Sequence, residues 1–212
     1  MNLMNISKYA FIVAALSAFA GSGYADSLYL YSSAAETMND SGSATVNIPK
    51  NPLWADALPG SSWVSFLESG DPNAPGYISP ANGTIVNFTD TFFICGTPVD
   101  GFLSVLADDS ASITLNGVVL VAEANQIGNS YATCSDGAIG CLTATAGNVN
   151  LNGHLLKGLN TLTFSVAQRA GSSYGLDYTG TVNFSAAPEP GTLALLGLPL
   201  VVLGLIRRKR SA

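Results

Sequence analysis

Thr161-Leu162-Thr163-Phe164-Ser165-Val166 alternates hydroxylated and apolar residues without a break. Successive side chains of a strand point to opposite faces, so the run sets Leu162, Phe164 and Val166 on one face and Thr161, Thr163 and Ser165 on the other. Residues 178–184 behave alike, with Tyr178, Val182 and Phe184 on one parity and Thr179, Thr181 and Asn183 on the other. Both read as strands that are greasy on one side and hydroxylated on the other. Shorter runs at 28–32, 44–48, 62–67, 84–94, 102–107, 111–115, 118–122 and 149–151 extend the series. Asn116-Gly117 between two of them suits a type I′ hairpin, because both residues tolerate a positive φ. Gly, Asn, Ser and Pro punctuate the rest, and between the two termini no window of 12 or more residues carries a 3.6-residue apolar period. The expectation is therefore all-β: a single antiparallel β-sandwich, jelly-roll-like, over residues 26–186. A short helical turn is expected at 54–58, opened by Asn51 and Pro52.

The two ends read differently. Lys8 precedes an apolar run at 9–20, and Gly23-Tyr24-Ala25 follows, which is the order of a secretory signal peptide over residues 1–25. Cleavage by signal peptidase after Ala25 starts the mature chain at Asp26; Ala18-Phe19-Ala20 offers an alternative bond. At the other end, Pro188-Glu189-Pro190 leads into residues 191–206, which carry no charge, and then into Arg207-Arg208-Lys209-Arg210. Those 16 residues as a helix cover about 24 Å of a hydrocarbon core roughly 30 Å thick. Pro199 in the middle breaks a helical hydrogen bond, which suits a transient stop in the inner membrane better than permanent packing there. The basic cluster holds the tail on the cytoplasmic side and leaves the rest of the chain outside. This tripartite order, over residues 187–212, resembles the PEP-CTERM sorting signal of Gram-negative bacteria. The resemblance implies recognition by an exosortase, removal of the transmembrane tail, and delivery to the cell surface or the extracellular matrix. A plain C-terminal membrane anchor is the competing reading.

All fourteen acidic residues lie between Asp26 and Glu189, against Lys50, Lys157 and Arg169 alone, so this region carries −11 where the whole chain carries −6. Such a surface repels phosphates and anionic headgroups, which disfavours nucleic acid and peripheral membrane partners.

Within the sandwich, Trp63-Val64, the run 84–94, Asp108-Asp109 before Ile113-Thr114-Leu115-Asn116-Gly117, and Gly158-Leu159-Asn160-Thr161-Leu162 resemble the galactose-binding-like jelly roll. The resemblance implies the fold and, through it, association with carbohydrate; no sugar-stacking ring falls at a position that the family defines. In local terms Asn160 is placed to hold a tight connection by bonding nearby backbone.

Cys134 and Cys141 bracket a small-residue loop, and export places them where disulfides persist, so they are the expected pair. Cys95 with either of them remains an alternative. His154, the one histidine, sits in a turn-like stretch, and the spacings of 39, 7 and 13 residues through the three cysteines to it match no zinc pattern. Asp108 and Asp109 are expected in a turn, where adjacent carboxylates either cap backbone or offer oxygens to Ca²⁺; no other cofactor is indicated. Among Trp54, Trp63, Tyr77, Tyr131 and Tyr174, Trp63 is expected in the core, whereas Tyr131 and Tyr174 fall in Gly/Ser loops and are the ring candidates for ligand contact. No catalytic spacing stands out. The chain reads as an exported, non-enzymatic surface or matrix protein with a structural or exopolysaccharide-associated role. A lectin-like module is the alternative, and a glycoside-active enzyme would need a convergent carboxylate pair in a cleft.

Overall fold

Among residues 25–123, 139–169 and 172–185, which the structure, a computed structural model, describes, the expected alternation becomes eleven strands. In chain order they are β1 (Ala25–Tyr31), β2 (Met38–Asn39), β3 (Val46–Asn47), β4 (Val64–Ser65), β5 (Ile85–Ile94), β6 (Thr97–Asp108), β7 (Ser110–Leu115), β8 (Val118–Val121), β9 (Gly147–Asn150), β10 (Gly158–Ala167) and β11 (Gly175–Ser185). They form two antiparallel sheets of a sandwich. One is ordered β2-β5-β10-β7-β8; the other is β3-β4-β11-β6-β9, with β1 also paired to β11. The signal peptide, the sorting motif Pro188-Glu189-Pro190, the apolar tail and Arg207, Arg208, Lys209 and Arg210 lie outside the described residues, as do Tyr131 and Cys134. Among the described residues no helix is long and apolar enough to cross a membrane. Ala25 opens β1, and the compact unit begins at Asp26.

Parity fixes the core. Leu162, Phe164 and Val166 of β10 are fully buried beside Val86, Phe88, Phe92 and Ile94 of β5 and Ile113 and Leu115 of β7. The opposing sheet contributes Leu103 and Val105 of β6 and Leu176, Tyr178 and Val182 of β11. The outer face of the first sheet is the hydroxylated one: Thr161 lies opposite Thr91, Thr163 between Thr89 and Thr114, and Ser165 between Asn87 and Ser112.

Two Asn-based corners set the register. Asn116 and Gly117 join β7 to β8 with φ values of 54° and 80°, the left-handed pair that a type I′ turn needs. The Asn116 side chain then ties three segments: Nδ2 donates to His154 O and to Asn160 Oδ1, and Oδ1 accepts from Thr161 N. Asn160 is fully buried; it donates to Leu156 O at 2.7 Å and Gly158 O at 3.0 Å, and accepts from Leu156 N at 2.8 Å.

The helical turn expected at 54–58 does not form. Asn51 accepts Leu53 N–H on its side chain and Trp54 N–H on its carbonyl, both at 2.9 Å, which closes one tight turn. Ala55 then donates to Cys141 O at 2.8 Å, so the helical hydrogen-bond ladder stops there. This segment lays Trp54 and Trp63 over Leu106 and Cys141 in a second, smaller apolar cluster, with ring centroids 4.3 Å apart.

Replacing Asn160 by alanine removes its hydrogen bonds at once and orphans backbone groups in a dry site, so the variant should lose about 3 kcal/mol of stability. Urea unfolding of the mature domain measures this; a loss below about 1 kcal/mol would show that the connection does not depend on that amide.

Candidate functional site

The alternation that buries Leu30 turns Tyr29 and Tyr31 outward from the edge strand β1. On β5 the same rule buries Phe92 and exposes Phe93, while β2 reaches along this strand only to Thr89. The two open edges meet in a cleft of about 200 Å³ lined by residues 28–31 and 90–93 together with Glu36. Tyr29 is 70% and Phe93 64% exposed, so both rings offer apolar surface to solvent. Glu36 enters from the turn after β1, where Ser33 accepts Glu36 N–H on Oγ at 3.1 Å and Thr37 N–H on its carbonyl at 3.0 Å.

Asp90 is the charged group of the β5 wall. It sits at inward parity in an otherwise apolar series and is only 6% exposed. Its Oδ2 accepts the Tyr178 hydroxyl at 3.1 Å, and Tyr178 Oη lies 3.0 Å from Thr37 Oγ1, so the carboxylate heads a short chain of hydroxyls leading into the core. Burial pushes Asp90 up to about 6; the Tyr178 bond opposes the rise and the charge of Glu36 adds to it. Tyr178 itself is raised by burial and then by the charge of Asp90, and stays a neutral donor. Chemically the cleft pairs flat apolar rings with acceptor-only carboxylates, and among the described residues no cation lines it.

The residues singled out by sequence fall elsewhere. Tyr174, expected exposed in a loop, is fully buried: Oη donates to Val166 O at 2.8 Å and the ring meets Phe66 edge-on at 5.5 Å. The ring plugs the end of the core and satisfies its own hydroxyl there, so it is withdrawn as a ligand contact. Trp54 and Trp63 are buried by mutual packing, and Tyr77 is half-buried. Asp108 and Asp109, expected in a solvated turn, are buried where the chain passes from β6 to β7. Asp108 Oδ2 accepts the Trp54 indole N–H at 2.7 Å, and Asp109 Oδ2 accepts Arg169 N–H at 2.6 Å. Burial, then the charge of and hydrogen bond to Asp109, raise Asp108 well above the ordinary carboxylate range. Among the described residues no three His, Cys, Asp or Glu side chains converge as metal ligands. Cys95 is an exposed free thiol and Cys141 is disulfide-bonded; the expected partner Cys134 lies outside the described residues.

Tyr29, Tyr31, Glu36, Asp90 and Phe93 were not singled out by sequence. A signal existed: in the run 84–94, period two forces one of Phe92 and Phe93 outward and places Asp90 in phase with Val86, Phe88, Phe92 and Ile94.

No family model matches the chain, and no curated protein does. Among solved structures it is similar to a family 35 carbohydrate-binding module from Clostridium thermocellum, with 14% identity and a TM-score of 0.41 over 75% of this chain and 99% of that one. It is also similar to part of an exo-β-1,3-galactanase from Phanerochaete chrysosporium solved with β-1,3-galactotriose, with 15% identity and a TM-score of 0.33 over 77% of this chain and 29% of the enzyme. No residue role is carried over from either.

The Asp90 environment has a pH signature. Its carboxyl holds the proton to about 6 when folded and only to its ordinary 3.8 when unfolded. Between those values the folded state binds more protons, so stability falls as pH rises, and above about 6 the full penalty is present. Asp90→Asn keeps an acceptor for Tyr178 without the charge. Its urea midpoint should exceed that of the unmodified protein at about pH 8, with the difference closing near pH 4; a constant difference would contradict the assignment.

Proposed function

We propose that this chain is an exported protein, sorted by an exosortase to the cell surface or extracellular matrix, whose β-sandwich holds polysaccharide in the cleft between β1 and β5. The observation that carries the binding half is the convergence of exposed Tyr29, Tyr31 and Phe93 with Asp90 and Glu36 in one cleft. Sugar rings present a flat apolar C–H face and a rim of hydroxyl donors; aromatic rings cover the first and carboxylates accept from the second. The sorting half rests on the order of Pro188-Glu189-Pro190, the uncharged run and the basic cluster, with signal peptidase cleavage after Ala25 at the other end.

A glycoside-active enzyme is a second reading that the two carboxylates of the cleft favour, since such enzymes set an acid and a base on either side of a bond. Asp90, however, offers little surface to a substrate, and Tyr178 already occupies its Oδ2. Those constraints support binding, with exposed Glu36 as the acceptor that meets the ligand and Asp90 held behind it by Tyr178.

Tyr29→Ala combined with Phe93→Ala should weaken binding of the host's purified exopolysaccharide at least about tenfold, the equivalent of losing roughly 1.4 kcal/mol of ring contact. The urea midpoint should stay unchanged, because both rings are exposed. Unaltered binding would remove the cleft from consideration. For sorting, replacing Pro188-Glu189-Pro190 by alanines should leave full-length chain in the inner membrane, read by intact mass of the fractionated protein. Normal release of a trimmed product would show the motif to be incidental.

A further inference from the structure

The cleft's charge selects among glycans. Glu36 and Asp90 both line it, and none of Lys50, Lys157 and Arg169 does. Two of those cations are engaged elsewhere: Lys50 pairs with Asp56 at 3.4 Å and Arg169 with Glu123. A ligand entering between β1 and β5 therefore meets two acidic groups with no neutralising partner in the lining. Asp90 acts from a dry position, where a charge is screened less than at the surface, while Glu36 stands exposed at the rim and can touch the ligand.

From this arrangement we infer that the polysaccharide held in the cleft carries free amino groups, an incompletely acetylated amino-sugar polymer, and that uronate-rich chains are refused. The inference rests on the reading of the cleft as a glycan site. An ammonium group is a donor-only cation with three N–H bonds to give, and a carboxylate is its acceptor-only complement. Tyr29 and Tyr31 on the β1 side and Phe93 on the β5 side offer apolar surface along the sugar chain, so ring contact supplies affinity and charge supplies choice. A uronate in the same seat would set a third carboxylate beside Glu36 and Asp90 with no guanidinium or ammonium from the cleft to hold it.

Three tetramers separate these ideas by calorimetry with the mature domain at low ionic strength: a β-1,4-linked glucosamine tetramer, its fully N-acetylated form and tetragalacturonate. The glucosamine tetramer should bind at least about tenfold tighter than the acetylated one, and tetragalacturonate should not bind. Glu36→Gln should erase the preference, whereas Glu68→Gln, a carboxylate outside the cleft, should keep it. Equal affinity for the glucosamine and acetylated tetramers overturns the inference and leaves the glycan reading in place. An equal loss in Glu36→Gln and Glu68→Gln also overturns it, since overall negative charge would then be the attractor. Failure of all three tetramers to bind removes both the inference and the reading beneath it.

Discussion

Tyr178 is the residue on which both the sandwich and its cleft depend. Its ring, from β11, stacks on Phe164 of β10 with centroids 4.4 Å apart and 25° between planes, so one aromatic pair spans the two sheets at the centre of the core. Its backbone ties β1 to the sheet, because Ser32 N donates to Tyr178 O and Tyr178 N donates to Ser32 Oγ. Its hydroxyl ends at Asp90 on β5. A phenol can do all three because it buries a large apolar body and still carries one donor. The position of β1 relative to β5, and hence the width of the cleft, is thus fixed from inside the core.

Buried carboxylates recur in this protein, and each is met by neutral donors. Asp177 accepts from Ser61 and Ser32 hydroxyls and from Leu58 N–H, while burial still raises it. Asp108 accepts from the Trp54 indole. Asp90 meets Tyr178. A chain with three cations between its termini has few ion pairs to give, and hydroxyls, an indole and backbone amides take their place. What distinguishes Asp90 is its setting. The side chains of Asp108 and Asp177 pin loops to strands, whereas Asp90 lines an open cleft beside exposed rings.

The fold was legible because period two is a local property. Residues 161–166 and 178–184 declare which side faces inward, Asn116-Gly117 declares its turn, and Asn160 follows Gly158 closely enough to bond it. The cleft was less legible because period two says which face a residue takes and not which edges meet. Tyr29 and Phe93 stand 64 positions apart and share a cleft only through the way β1 and β5 are hung on Tyr178. Loop composition misled in the opposite direction. Tyr174 looks exposed among Gly and Ser, yet it lies where the chain changes sheet between β10 and β11, and its ring fills the core at that corner.

The open edge at β5 offers a structural account of Asp90 that competes with the functional one. An inward charge on an uncovered strand hinders pairing with another chain, a common protection of sheet edges. That account explains Asp90 alone. It leaves Tyr29 and Phe93 as a cost, since exposed rings beside an uncovered edge invite the association that the charge would discourage. A ligand that lies along the cleft resolves the conflict: it covers the rings, occupies the edge and makes use of the charge, so one occupant accounts for features that edge protection by itself sets against each other.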